Sequence, residues 1–304
     1  MPLESILRTS MQICLIFINC TELKYRYAII FNLASQLELP MTSVFSYSTF
    51  IHYPISSLAF FSLIMAFLSL WIDKRVGIWL SFIVIACVFA FISKLIEVSA
   101  LISIGMLGII HLLLSGEVKG KIRLALVVSG ALISFGLITH LLPGFHNWNL
   151  VKNLQISQDG VPYSLFLNFD KPFIGFFPLA LALPLLESRF QIRTILLKTL
   201  VLILVGILLI MILALFLHVV KFDLKFPHIT PIWMIANLFL TTIPEEAFFR
   251  GFLQRELNEY LDTKWAGVFS VVAVSLLFTV AHIAFIKDFN FLLLSFVSSL
   301  IYGT

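Results

Sequence analysis

The sequence predicts an all-α fold, a polytopic transmembrane helical bundle, and three observations carry that expectation. Of the 304 residues, 60% are hydrophobic and 12% are charged, against roughly 25% charged in an average soluble domain. The mean hydropathy is +1.05, too apolar to give a soluble chain of this length a polar surface. The apolar residues also come in long unbroken runs without the alternation of a membrane β-barrel. Helices, whose backbone hydrogen bonds close within one segment, are then the spanning element.

A helix needs about 20 mostly apolar residues to cross a ~30 Å hydrocarbon core. Runs of this kind lie at 54–72, 77–93, 98–115, 124–142, 199–220, 231–250 and 266–286. A shorter run lies at 174–186, and another starts near 291 and meets the end of the sequence at Thr304. The expected count is eight spans and an incomplete ninth. Lys and Arg in short loops set the orientation. The loops near 74, 120, 190 and 260, with Arg250 on their side, hold eleven such residues against six in the alternate set. The richer set is expected in the cytoplasm, and the longest loop, 143–173, on the other side.

The first fifty residues fit this scheme poorly. Met11–Ile18 is too short to span, and Glu22, Lys24 and Arg26 interrupt the stretch after it. Met41 is an alternative start. The three cysteines, Cys14, Cys20 and Cys87, have neither disulfide nor metal spacing. The net charge of +4 suits loops beside an anionic lipid bilayer. No basic cluster interleaved with aromatics points to nucleic acid. The loop 143–173 reads as a connector with a local Asp170–Lys171 charge pair, and Trp148 and Tyr163 as interfacial anchors.

An ionisable residue inside a span is costly and marks a functional site by default. Thr241-Thr242-Ile243-Pro244-Glu245-Glu246-Ala247-Phe248-Phe249-Arg250 directly continues an apolar run. Arg250 follows Glu246 by four residues, so the two share a helix face and can pair. Glu245 is rotated about 100° from Glu246 and is expected to face a water or a substrate. Two carboxylates with different partners are expected to titrate apart. Two plainer readings compete. Thr242-Ile243-Pro244-Glu245 has the spacing of a capping box for a helix restarting after Pro244. Alternatively, both acids are solvated at the cytoplasmic interface.

The next span holds Phe278-Thr279-Val280-Ala281-His282 and is joined by a short connection, Glu256–Lys264. The two helices should be antiparallel neighbours. Four histidines lie in or near spans: His111, His140, His218 and His282. There is no His-Glu-x-x-His zinc pattern, no glycine two positions before Ser129-Gly130 as a rhomboid-like serine site requires, and no aspartate pair of the presenilin kind within spans.

Glu245-Glu246-x-x-x-Arg250 followed by Phe278-x-x-x-His282 resembles the first two motifs of the CPBP (CAAX protease and bacteriocin-processing) family of intramembrane proteases. That family includes the type II CAAX prenyl endopeptidases. The resemblance divides the chain into an N-terminal segment (1–53), upstream transmembrane helices (54–230) and a protease-like core (231–304). It implies that Glu245 is the general base activating a water, and that His282 binds or polarises that water or the oxyanion. Glu246 and Arg250 would then be a structural ion pair and Phe278 a packing residue. It implies a membrane-associated protein or peptide as substrate and a bacterial inner (plasma) membrane as location. The family has been called both metal-dependent and glutamate-dependent, so a divalent metal such as zinc stays open, although one Glu and one His are not a full ligand set. The family's third motif, a His followed four residues later by Asn or Asp on a later helix, is not found in residues 1–304. Little or no proteolysis is therefore expected of these 304 residues without that helix. The alternatives are a proton-coupled transporter, in which Glu245, Glu246 and His282 form a relay, and a catalytically dead membrane scaffold. Buried acids in one half only disfavour the transporter.

Overall fold

The computed structural model describes residues 47, 49–157, 160, 162–183, 189–223, 225–283, 286 and 288–303. Cys14, Cys20, Met41 and nearly all of the segment 1–53 lie outside the described residues, as do Lys287 and the end of the run 174–186.

Two helical hairpins come first. Helices α1 (Pro54–Ile72) and α2 (Val76–Ile92) form one; α3 (Val98–Leu114) and α4 (Gly120–Ile138) form the other. Pro54 sits in the first turn of α1, where its missing N–H costs nothing. Lys94, just past α2, and His140, just past α4, have left-handed φ of 61° and 57°. The N–H groups of Leu95 and Leu141 fold back to the carbonyls of Ala90 and Gly136, which satisfies carbonyls that the helix end would leave bare. His140, and His218 with φ 56° after α6, thus terminate helices.

The long loop is not a plain connector. It contains an antiparallel pair, β1 (Trp148–Leu154) and β2 (Tyr163–Leu167), with Trp148 opposite Leu167 and Leu154 opposite Tyr163. Tyr163 is buried in this hairpin and is no interfacial anchor. Trp148 packs against Phe50, Tyr53 and Phe60. Helix α5 (Pro172–Leu181) follows; at ten residues it is about 15 Å long. It runs through the centre of the molecule. Phe176 packs on Phe67 of α1 and Trp79 of α2, and Phe177 fills the space beside Gly108 of α3.

Helix α6 (Arg189–Phe216) begins ten residues before the expected run. Beyond it, a continuous helix α7 covers 230–260, followed by α8 (Ala266–Ile283) and α9 (Phe289–Gly303). Pro54–Ile72, Gly120–Ile138 and Ala266–Ile283 are long and apolar enough to cross a membrane, and several other apolar helices are shorter. Their outward faces carry exposed Val88, Ile109, Leu132 and Leu208, as expected of helices apolar all round.

The loops segregate to two ends. At one end Lys74 donates to the Leu183 carbonyl and Arg123 reaches Glu256. At the other, His146 meets Glu97, and Ser157 donates to Asp223. The two Lys/Arg-distinguished sets of loops thus lie at opposite ends of the bundle.

Candidate functional site

The site is built on α7. Thr230–Asn237 is α-helical, Leu238–Thr242 is a π turn, Ile243–Glu246 is α-helical, Ala247–Gln254 is again π, and Arg255–Tyr260 returns to α. There is no break. A proline inside a helix removes one hydrogen bond and crowds the carbonyl four residues back. Here the chain widens just before Pro244: the Ile243 N–H donates to the Leu238 carbonyl, five residues back. Such π turns occur frequently at functional sites.

This geometry removes the capping-box reading. Thr242 has helical φ and ψ of −65° and −54° and makes no cap bond. Its hydroxyl is buried without a hydrogen-bond partner. The helix also runs past the expected connection, which shrinks to 261–265. The charged stretch that looks like a loop stays helical because its charges are compensated. Glu256 takes a two-pronged contact from Arg123, at 2.7 and 2.9 Å, and a third bond from Arg255 at 3.0 Å.

Glu245, Glu246 and Arg250 are 9%, 4% and 1% exposed, so neither acid is solvated at an interface. The Arg250 Nε lies 3.6 Å from Glu246 Oε2. The same guanidinium donates to the Ser299 carbonyl and hydroxyl on α9, at 3.0 and 2.7 Å. Glu245 is not left facing water. Its Oε1 accepts a hydrogen bond from Lys171 Nζ at 2.9 Å. The expected Asp170–Lys171 charge pair does not form. Asp170 Oδ2 pairs with His140 Nδ1 at 2.5 Å, and Oδ1 accepts the Lys171 backbone N–H at 2.8 Å.

Glycine makes the Lys171 contact possible. A Cβ on Gly175 would run into the Cα and carbonyl oxygen of Pro244, so α5 and α7 cross backbone to backbone. That crossing sets the first turn of α5 against Glu245.

Helix α8 returns antiparallel to α7. Glu245 lies fifteen residues before the end of α7 at Tyr260, and His282 sixteen after the start of α8 at Ala266. At 1.5 Å per residue these are about 22 and 24 Å, so the two residues lie at similar depth. The ring contacts agree: Phe249 meets Phe278 at 5.1 Å, and Arg250 lies 5.9 Å from the Phe278 centroid. One turn further along each helix are Glu245 and His282. The Nδ1 of His282 lies 2.8 Å from the Phe278 carbonyl, which can only accept. The hydrogen is therefore assigned to Nδ1, and in the neutral ring Nε2 carries the lone pair.

Lys171, Ser299 and the His140–Asp170 pair are not identified by sequence reasoning. A signal exists for Lys171. With Arg250 committed to Glu246, a buried Glu245 needs a second cation. Helical spacing does not name it, because Lys171 is seventy-four residues away.

Among the described residues, no group of three or more His, Cys, Asp and Glu could hold a metal ion. The residues present do not by themselves make a zinc site.

Fold and site together define a helical integral membrane protein with two buried glutamates midway along α7, each facing its own cation. Residues 227–304 match the family model described as type II CAAX prenyl endopeptidase Rce1-like, consistent with the CPBP family. That segment holds α7, α8 and α9, and the match supports a CAAX-type intramembrane protease. No curated protein and no solved structure matches the chain.

Proposed function

We propose that this protein is an intramembrane endopeptidase in which Glu245 is the general base. It would hydrolyse a peptide bond presented at or within the membrane. One observation carries the reading: within the segment that matches the Rce1-like model, Glu245 is buried at mid-helix and level with His282. A base must accept a proton from water as the water attacks the carbonyl carbon, then return it to the leaving amine. Glu246 is already committed to Arg250 and Ser299, which leaves Glu245 for that task. The His282 tautomer divides the roles further. A neutral ring with the hydrogen on Nδ1 can accept a hydrogen bond from the attacking water through Nε2, but cannot donate to an oxyanion. His282 therefore orients the water.

The test is Glu245→Gln in the full-length natural protein, assayed against a membrane-anchored reporter peptide. Cleavage should fall by about 10²–10⁴-fold, with the thermal unfolding midpoint in detergent retained. Full activity in that variant would overturn the assignment.

The reading carries a topology with eight spans and an incomplete ninth. The end bearing Lys74, Arg123 and Arg255 faces the cytoplasm, by the excess of Lys and Arg there. Reporter fusions at Gly120 and Ser157 should fall in opposite compartments. Finding both on one side would reject the topology.

A further inference from the structure

Lys171 lies outside the two sequence motifs, yet it makes a direct contact with the glutamate on which the proposed chemistry depends. We infer that Lys171 is a positioning residue for the Glu245 carboxylate, holding it oriented and charge-balanced inside the bundle; this rests on the reading of Glu245 as the base.

The contact is built from both sides. The Lys171 and Glu245 side chains are 14% and 11% exposed, so the pair is largely shielded. A lysine on a mobile loop would gain little from such a pair, because it would lose side-chain freedom to make it. Here the backbone beneath it is already fixed. Asp170, 1% exposed, holds the Lys171 N–H with one oxygen and His140 with the other. Phe169, fully buried, is packed between Phe60 and Phe173. The Gly175–Pro244 crossing fixes the separation of the two helices.

Charge gives the second argument. Two carboxylates, one guanidinium and one ammonium make the buried group neutral; without Lys171 it would carry an uncompensated negative charge. In the reaction, a lone pair of the water oxygen attacks the peptide carbonyl carbon, and the carbonyl π electrons move to its oxygen. The water proton passes to Glu245. Negative charge has then left the carboxylate and appeared on the oxyanion, while the ammonium of Lys171 stays in place. The group with its substrate is neutral again. When the C–N bond breaks, the proton on Glu245 goes to the leaving nitrogen and the carboxylate meets Lys171 once more. A fixed cation thus avoids a net buried charge at each stage, as preorganised electrostatics requires.

The experiment uses the full-length natural protein in lipid vesicles with a membrane-anchored reporter peptide. It compares Glu245→Gln, Lys171→Met, Lys171→Arg and the double variant Lys171→Met/Glu245→Gln. Lys171→Met should lose about 10²-fold in kcat at unchanged KM, the scale of a misplaced catalytic group. Lys171→Arg should restore most of that rate. The double variant should be no slower than Glu245→Gln alone, because Lys171 acts through Glu245. Should Lys171→Met unfold, the double variant, which buries neither charge alone, should unfold closer to the wild-type midpoint than Lys171→Met does. Wild-type kcat in Lys171→Met beside an inactive Glu245→Gln would overturn the inference and leave the base in place. A rise in KM alone, with no rescue by Arg, would overturn it too. An active Glu245→Gln would remove the base assignment itself, and the inference with it.

Discussion

Helix α7 carries two charged clusters ten residues apart, and they are built differently. At Glu256 one carboxylate is shared by two arginines, with Arg123 and Arg255 each 27% exposed. Water reaches this cluster, and removing one arginine leaves the other. At Glu245 and Glu246 the arrangement is one cation to each acid. Lys171 comes from the start of α5, and Arg250 from α7 itself, steadied by Ser299 of α9. The first cluster ties helix ends together. The second divides two neighbouring carboxylates between different partners, which distinguishes a fixed acid from one that can exchange protons. Chemistry is therefore placed where redundancy is lowest.

That comparison can be broken by substitution. The largest effect on stability is expected from Arg250→Ala. Breaking a buried pair leaves a bare charge, and the cost is about 3–5 kcal/mol, read as a large drop in the thermal midpoint of the detergent-extracted protein. A small drop would mean that the Glu246 carboxylate has ready access to water, and the contrast between the clusters would fail. Arg123→Ala should cost only about 1 kcal/mol, since Arg255 still holds Glu256. If it matched Arg250→Ala, the redundancy would be illusory. Glu259→Ala should be smallest, within about 0.5 kcal/mol. Glu259 is 58% exposed and 3.8 Å from Arg255, so a larger change would show the helix-end network to extend beyond Glu256 and its two arginines.

The two clusters also differ in how far they are legible in the sequence. The Glu246–Arg250 contact is local, and a four-residue spacing is a helical signal. The runs at 54–72, 77–93 and 98–115 are legible because apolar length is written directly into the sequence; α1, α2 and α3 start and end within a residue of them. The end of α7 is not, because Arg255, Glu256 and Glu259 look like loop residues until Arg123 is brought beside them. The β-hairpin stays hidden although Tyr163–Leu167 is rich in strand formers, since the polar residues between the two strands suggest a connector. The sequence neighbours of Lys171 point to a surface loop. Its position comes from the α5–α7 crossing, and the signal for that is a single glycine, Gly175, whose partner lies in another part of the chain.

The π turn at Leu238–Thr242 has a consequence for insertions and deletions. One residue more than a regular helix would need is accommodated there, in a stretch without charged side chains. Removing one residue would let the helix close regularly, and everything on one side of it would swing by about 100° relative to the other. Glu246 would then occupy the direction now held by Glu245, and Ala247 that of Glu246. Which carboxylate faces Lys171 is thus a matter of phase, set several residues upstream of either acid. A lineage that lost a single codon there would exchange the two glutamates without altering a residue of the motif.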